Sequence, residues 1–117
     1  MVSTEQRFVS SGDVNGDGYA DILMGAYTAS PNGIASGSVY VYFGRAAGWS
    51  ATPYDMNTAA NYNGINGVRF NGGVAGDSLA SVAAGDINGD GRDDIIMGAH
   101  NFDVGMRANA GAVYVYF

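Results

Sequence analysis

The chain has 117 residues, 47% of them apolar, no cysteine, and a formal net charge of −6. Length and apolar content predict one small folded domain, and the lack of Cys excludes disulfide scaffolds, Cys-ligated zinc and Cys nucleophiles. Eleven acids face five Arg, with no Lys, so a nucleic-acid partner is not expected, because phosphate binding needs a basic stripe.

Glycine is abundant, 19 of 117. That argues against helices, since Gly costs about 1 kcal/mol in a helix interior, and without a three-residue period it does not indicate collagen. No apolar run approaches the ~18 residues of a membrane helix, so membrane insertion is not expected. No basic start followed by an apolar stretch marks a secretory leader.

In chain order, residues 7–11 read as a first strand. The acidic loop Asp13-Val14-Asn15-Gly16-Asp17-Gly18-Tyr19-Ala20-Asp21 follows, and 21–26 read as a second strand with the apolar run Ile22-Leu23-Met24. Residues 38–43, rich in Val, Tyr and Phe, fit a third strand. Val39, Val41 and Phe43 point one way and Tyr40 and Tyr42 the other. Neither face is polar, which predicts cover on both sides. A joining segment from 44 to about 78 holds a fourth strand near Gly67–Phe70. Strands at 80–84, 94–99 and 112–117 follow, with a second acidic loop, DINGDGRDD, at 86–94.

The second set repeats the first. Val9–Ala26 and Val82–Ala99 agree at 12 of 18 positions at an offset of 73, and Gly37–Phe43 matches Gly111–Phe117 at an offset of 74. The chain is therefore expected to be one all-β domain of two units, 1–66 and 67–117. The second unit appears without its outer strand. Small twisted sheets, apolar on both faces and repeated, suit propeller blades. A two-sheet sandwich of similar halves is the alternative, and the repeat favours the propeller.

Six acids (Asp13, Asp17, Asp21, Asp86, Asp90, Asp94) sit in two nine-residue windows, where they repel one another unless a positive charge lies between them. Oxygen donors at positions 1, 3, 5 and 9, with a carbonyl at 7, can converge on one point. Glycine at position 6 (Gly18, Gly91) permits the bend. The donors are all hard oxygens, which suits Ca²⁺ better than Mg²⁺ and disfavours zinc and copper. An EF-hand needs Glu at position 12, where this chain has Met24 and Met97. The loop therefore belongs to a β-hairpin. The alternative is a plain turn, since Asn-Gly and Asp-Gly are hairpin signals in their own right.

The run G-D-x-N-G-D-G-x-x-D-hydrophobic-x-hydrophobic-G-A followed by G-x-V-Y-V-Y-F resembles the FG-GAP repeats of integrin alpha-chain β-propellers, and most of all their bacterial relatives. Asn66–Gly72 and Ala75–Leu79 resemble the lead-in to such a repeat. The resemblance implies calcium between the first two strands of each blade, two sites per chain. Its side-chain ligands would be Asp13, Asn15, Asp17 and Asp21 in one loop and Asp86, Asn88, Asp90 and Asp94 in the other. Tyr19 and Arg92 would supply carbonyls. The chain departs from the family at Gly25-Ala26-Tyr27 and Gly98-Ala99-His100, which lack the signature Pro, and in offering two blades where seven are usual.

Two blades cannot close a ring, and uncovered apolar faces mark interfaces. Association of three or four copies is therefore expected, with residues 1–6 of a neighbour supplying the missing strand. The alternative is completion by further blades of a longer parent. No enzyme signature appears: the lone His100 has no evident partner, and Asp55, Asp77 and Asp103 read as turn residues. The expected role is a calcium-stabilised structural or binding module of adhesion type, extracellular on the strength of calcium and the resemblance, with a protein or glycan ligand. The alternative is a lectin-like propeller or the accessory propeller of a carbohydrate-active enzyme. In that case Trp49, Tyr54 and Tyr62 would stack on sugars; otherwise they cover the sheet.

Overall fold

The computed structural model describes residues 8–49, 62–99 and 111–117. They form seven strands: β1 (Phe8–Gly12), β2 (Asp21–Ala26), β3 (Ser38–Tyr42), β4 (Gly67–Asn71), β5 (Leu79–Gly85), β6 (Asp94–Ala99) and β7 (Ala112–Tyr116). Every pairing is antiparallel, in a four-stranded sheet β1-β2-β3-β4 and a three-stranded sheet β5-β6-β7. The fold is all-β. No helix of the described residues is long and apolar enough to cross a membrane.

The strands fall where the sequence predicts them, and β2 and β6 agree to the residue. The sheets divide between Asn71 and Leu79, rather than at 66/67, because Gly67–Asn71 pairs with β3 and completes the first sheet. Both sheets share one register scheme. Ile22 pairs with Tyr42 as Ile95 pairs with Tyr116, and Met24 pairs with Tyr40 as Met97 pairs with Tyr114.

The core lies between the sheets. Leu23, Val39 and Val41 from the first pack with Leu79, Ile95, Met97 and Ala99 from the second, with Val68, Phe70 and Val82 at the margin. Alternation puts Val39 and Val41 on this face and Tyr40 and Tyr42 on the other. All five residues of β3 are nevertheless buried, because Trp49 and Tyr62 cover the tyrosine side. The Trp49 ring lies 5.8 Å from Tyr42 and Tyr62 lies 5.1 Å from Tyr40. The Arg45 guanidinium sits between, 5.5 Å from Tyr42 and 4.9 Å from Trp49.

β5 runs against β1, β2 and β3 at close range. A Cβ on Gly25 would stand 1.7 Å from the carbonyl oxygen of Ala80, so only glycine fits there. Gly37, at φ +85°, pairs with Leu79 in an isolated bridge. Around it Gly76 N, Ser78 N and Leu79 N donate to the carbonyls of Ile34, Ala35 and Ser36. This stitching fixes where the second sheet starts relative to the first. A cleft of about 450 Å³ lies between the sheets where Phe70 of β4 faces Tyr114 and Tyr116 of β7.

Candidate metal centre

Each acidic loop joins the first two strands of its sheet. Asp13 is the hub of the first. Its Oδ1 accepts from Gly16 N (2.8 Å) and Asp17 N (3.1 Å), and its Oδ2 from Gly18 N (2.8 Å). Asn15 Oδ1 accepts from Asp17 N at 3.3 Å and Asp17 Oδ1 from Tyr19 N at 2.9 Å. Gly16 and Gly18 have φ of +77° and +89°, which turns successive amides inward, a conformation costly for other residues.

The second loop repeats this scheme. Asp86 accepts from Gly89, Asp90 and Gly91 at 2.8, 3.1 and 2.9 Å. Asn88 accepts from Asp90 at 3.3 Å and Asp90 from Arg92 at 2.9 Å, while Gly89 and Gly91 take φ of +76° and +89°. Charge-assisted bonds of this kind are stronger than neutral ones, so the loops are shaped by their own carboxylates.

Asp21 and Asp94 sit at the base of the loops, at the first residue of β2 and of β6, and both are buried. Asp21 Oδ2 accepts from Val14 N and Oδ1 from Gly44 N, both at 2.8 Å. Burial pushes its carboxyl above the ordinary value of 3.8. The Gly44 and Val14 amides oppose that shift, and the charges of Asp17 and Asp13 add to it. Asp94 Oδ2 accepts from Ile87 N at 2.7 Å, whereas Oδ1 is buried without a partner. The amide that fills this role for Asp21 belongs to Gly44. Asp90 lies below its ordinary value. The Arg92 amide is the main cause, opposed by desolvation and helped by Asn88, the Arg92 guanidinium and Asp86. The Arg92 Nη2 to Asp90 Oδ2 distance is 3.9 Å. Tyr19 occupies the same position in the first loop, which therefore has no cation of its own there.

Each loop brings its four side-chain candidates into one turn, with Tyr19 or Arg92 at position 7. Three carboxylates of the first loop act on one another electrostatically. The donor set is hard oxygen throughout, as calcium prefers. As they stand, the carboxylates are turned onto loop amides. Among the described residues no three Asp, Glu, His or Cys side chains converge at metal-holding spacing. His100, Asp55, Asp103, Tyr54 and residues 1–6 lie outside the described residues.

One polar residue at this site escaped the sequence reading. Asp93 reaches across from the second loop to the first: its Oδ2 accepts from Asp13 N at 3.0 Å, and its own N donates to Asp13 O at 2.9 Å. The Arg92 stem lies over Gly16, where a Cβ would stand 2.8 Å from it. The two loops thus clasp each other. The available signal was a mismatch in the repeat, Ala20 against Asp93.

Comparison with known proteins agrees with this architecture. The FG-GAP repeat model matches residues 7–42 and 78–116. Bovine phosphatidylinositol-glycan-specific phospholipase D is 34% identical over 110 residues, covering 93% of this chain and 12% of that protein. Human integrin alpha-6 is 36% identical over 97 residues, covering 80% of this chain and 7% of the integrin. Mouse integrin alpha-E is 32% identical over 113 residues, 90% of this chain and 9% of the integrin. The chain thus spans about a tenth of the length of these relatives. Its two matched segments take in β1–β3 and β5–β7 with their acidic loops, and the chain belongs to the FG-GAP repeat family, as a module of propeller-type blades.

Proposed function

We propose that this chain is a calcium-binding propeller module with a structural or binding role of adhesion type, and that it catalyses no reaction. The observation that carries this reading is the duplicated loop, in which the same donors hold the same amides at nearly the same distances 73 residues apart. A plain hairpin turn needs neither three carboxylates nor a buried one at its base. Asp13, Asn15, Asp17 and Asp21 with the Tyr19 carbonyl would hold one ion. Asp86, Asn88, Asp90 and Asp94 with the Arg92 carbonyl would hold a second. A bound cation would offset the mutual repulsion of the acids and tie the corner between the first two strands of each sheet.

The carbohydrate alternative is less favoured, because Trp49 and Tyr62 are already engaged on Tyr42 and Tyr40. An extracellular setting, where calcium is plentiful, suits this proposal. The ligand of the module would be a protein or a glycan.

Titration calorimetry and melting test the calcium reading. Two ions per chain are expected, falling to one in Asp17→Ala and in Asp90→Ala. Saturating calcium should raise the melting temperature, since a ligand at one hundred times its Kd adds about 2.7 kcal/mol. Absence of binding heat together with an unchanged melt in EDTA would refute the proposal. A glycan array addresses the alternative: binding that is lost in Trp49→Ala would replace the scaffold reading with a lectin.

A further inference from the structure

We propose that the open face of the second sheet is a seat for the first sheet of another copy of this chain, so that copies stack head to tail through the contact that joins the two sheets within one chain. This rests on reading the sheets as propeller blades and is independent of calcium.

The internal contact uses unlike faces. The first sheet contributes Leu23, Val39 and Val41, and the second contributes Val82, Ile95 and Met97. The repeat supplies each face a second time. The counterparts of Leu23, Val39 and Val41 are Ile96, Val113 and Val115 on the outer side of the second sheet, where Val113 is 71% exposed. The counterparts of Val82, Ile95 and Met97 are Val9, Ile22 and Met24 on the outer side of the first. Ile95 is 4% exposed, whereas Ile22 is 40% and Val9 68% exposed. The valine side of the second sheet therefore stands open, and on the facing side of the first sheet the β1–β2 part stands open beside the Trp49 and Tyr62 cover of Tyr42 and Tyr40.

The open seat carries glycines at the positions that the occupied one requires to be glycine. Cβ atoms on Gly12, Gly16 and Gly25 would strike Ala84, Arg92 and Ala80 of the seated sheet at 2.5, 2.8 and 1.7 Å. The same repeat positions are Gly85, Gly89 and Gly98. Cβ atoms on Gly85 and Gly89 would meet nothing within 4 Å, and one on Gly98 would meet only Ser81 of its own sheet, at 3.1 Å. A glycine inside a strand marks close approach of another backbone, and on this face that backbone is missing.

The cover on the first sheet points to a second copy as the occupant. Within the chain, Tyr116 of the seated sheet meets Phe70 at 5.3 Å, a ring from the fourth strand of the sheet beneath it. Among the described residues the second sheet has three strands and so no such ring to offer. On the first sheet the counterpart Tyr42 already carries Trp49. The first sheet thus brings its own ring to a three-stranded seat. The copy-to-copy contact also lacks the Asp93 clasp, since Ala20 replaces it, and should be weaker than the internal one. Unlike faces repeated in this way generate a ring or a filament. Three or four chains would give a ring of six or eight blades.

Light scattering on a sizing column, with the full chain, tests this. The wild-type chain should run as a discrete multiple of 12.0 kDa. Val113→Asp spoils the seat and Val9→Asp the guest face; both sites are exposed, so both variants should keep the wild-type circular dichroism and run as monomers. Mixed, the two variants retain one intact face each and should combine only into pairs. A wild-type monomer at high micromolar concentration overturns the proposal, as does an assembly that survives either substitution or a mixture that does not pair. A monomer whose β-strand amides stay protected from exchange leaves the blade reading standing, whereas an unprotected one removes that as well.

Discussion

β3 and β7 differ only at their first residue, SVYVY against AVYVY, yet all of β3 is buried while four of the five residues of β7 are exposed. β3 has β2 on one side and β4 on the other, the second sheet across its valine face, and Trp49 and Tyr62 across its tyrosine face. Among the described residues β7 pairs with β6 alone, and Phe70 packs against its Tyr116. Strand sequence therefore states which side chains can be buried, and neighbours decide whether they are. The acidic loops teach the reverse. Their hydrogen bonds agree within about 0.1 Å in these unequal surroundings, because almost every partner lies inside the same nine residues.

The largest difference between β3 and β7 should come from a charge placed on each strand, with Val9→Asp present in both proteins to block stacking. Val41→Asp puts a carboxylate into the core without a partner and should cost more than about 4 kcal/mol, enough to unfold a small domain. Val115→Asp should stay within about 0.5 kcal/mol. Equal losses in urea melts would show that β7 is buried after all.

Next in size is the glycine pair. Gly25→Ala forces β5 away and should lower stability by about 1–3 kcal/mol, as overpacking does. Gly98→Ala should cost less in the monomer, since its Cβ would meet only the Ser81 side chain, at 3.1 Å, and no backbone. Asp93→Ala, which removes the side-chain acceptor of the Asp13 amide, should cost about 1–2 kcal/mol and speed hydrogen exchange at that amide, leaving the other loop amides protected. Full protection at Asp13 would mean that the clasp holds through its backbone half alone.

The smallest effect separates two carboxylates of the metal-free chain. The Asp21 carboxyl carbon should titrate with a midpoint above 3.8 and that of Asp90 below it. The signs are opposite in stability. The raised Asp21 favours the fold most below its unfolded value, and that contribution declines as pH rises through the folded one. The lowered Asp90 contributes above its unfolded value and is lost as pH falls through the folded one. Midpoints in the reverse order would contradict the burial of Asp21.

Much of this was legible because it is local. Asp and Asn hydrogen-bond their own turns, glycine takes positive φ, and Val and Tyr alternate across a strand, so the strands and the acidic turns could be placed from 117 letters. The division at 66/67 fell short of the sheet boundary because the Arg69 segment resembles the lead-in to the next repeat while its backbone pairs with β3. Asp93 was missed because its partner is 80 residues away, and no spacing rule reaches that far.

The repeat, the strand faces and the oxygen-rich loops each follow from chemistry within a few residues and could be read from the chain alone. Packing in space settles which face meets which, that Trp49 and Tyr62 lie over the tyrosines of one sheet, and that the valine side of the other stands open. Those outcomes depend on how two sheets approach through space, and side chains far apart in the chain compete for that space on equal terms.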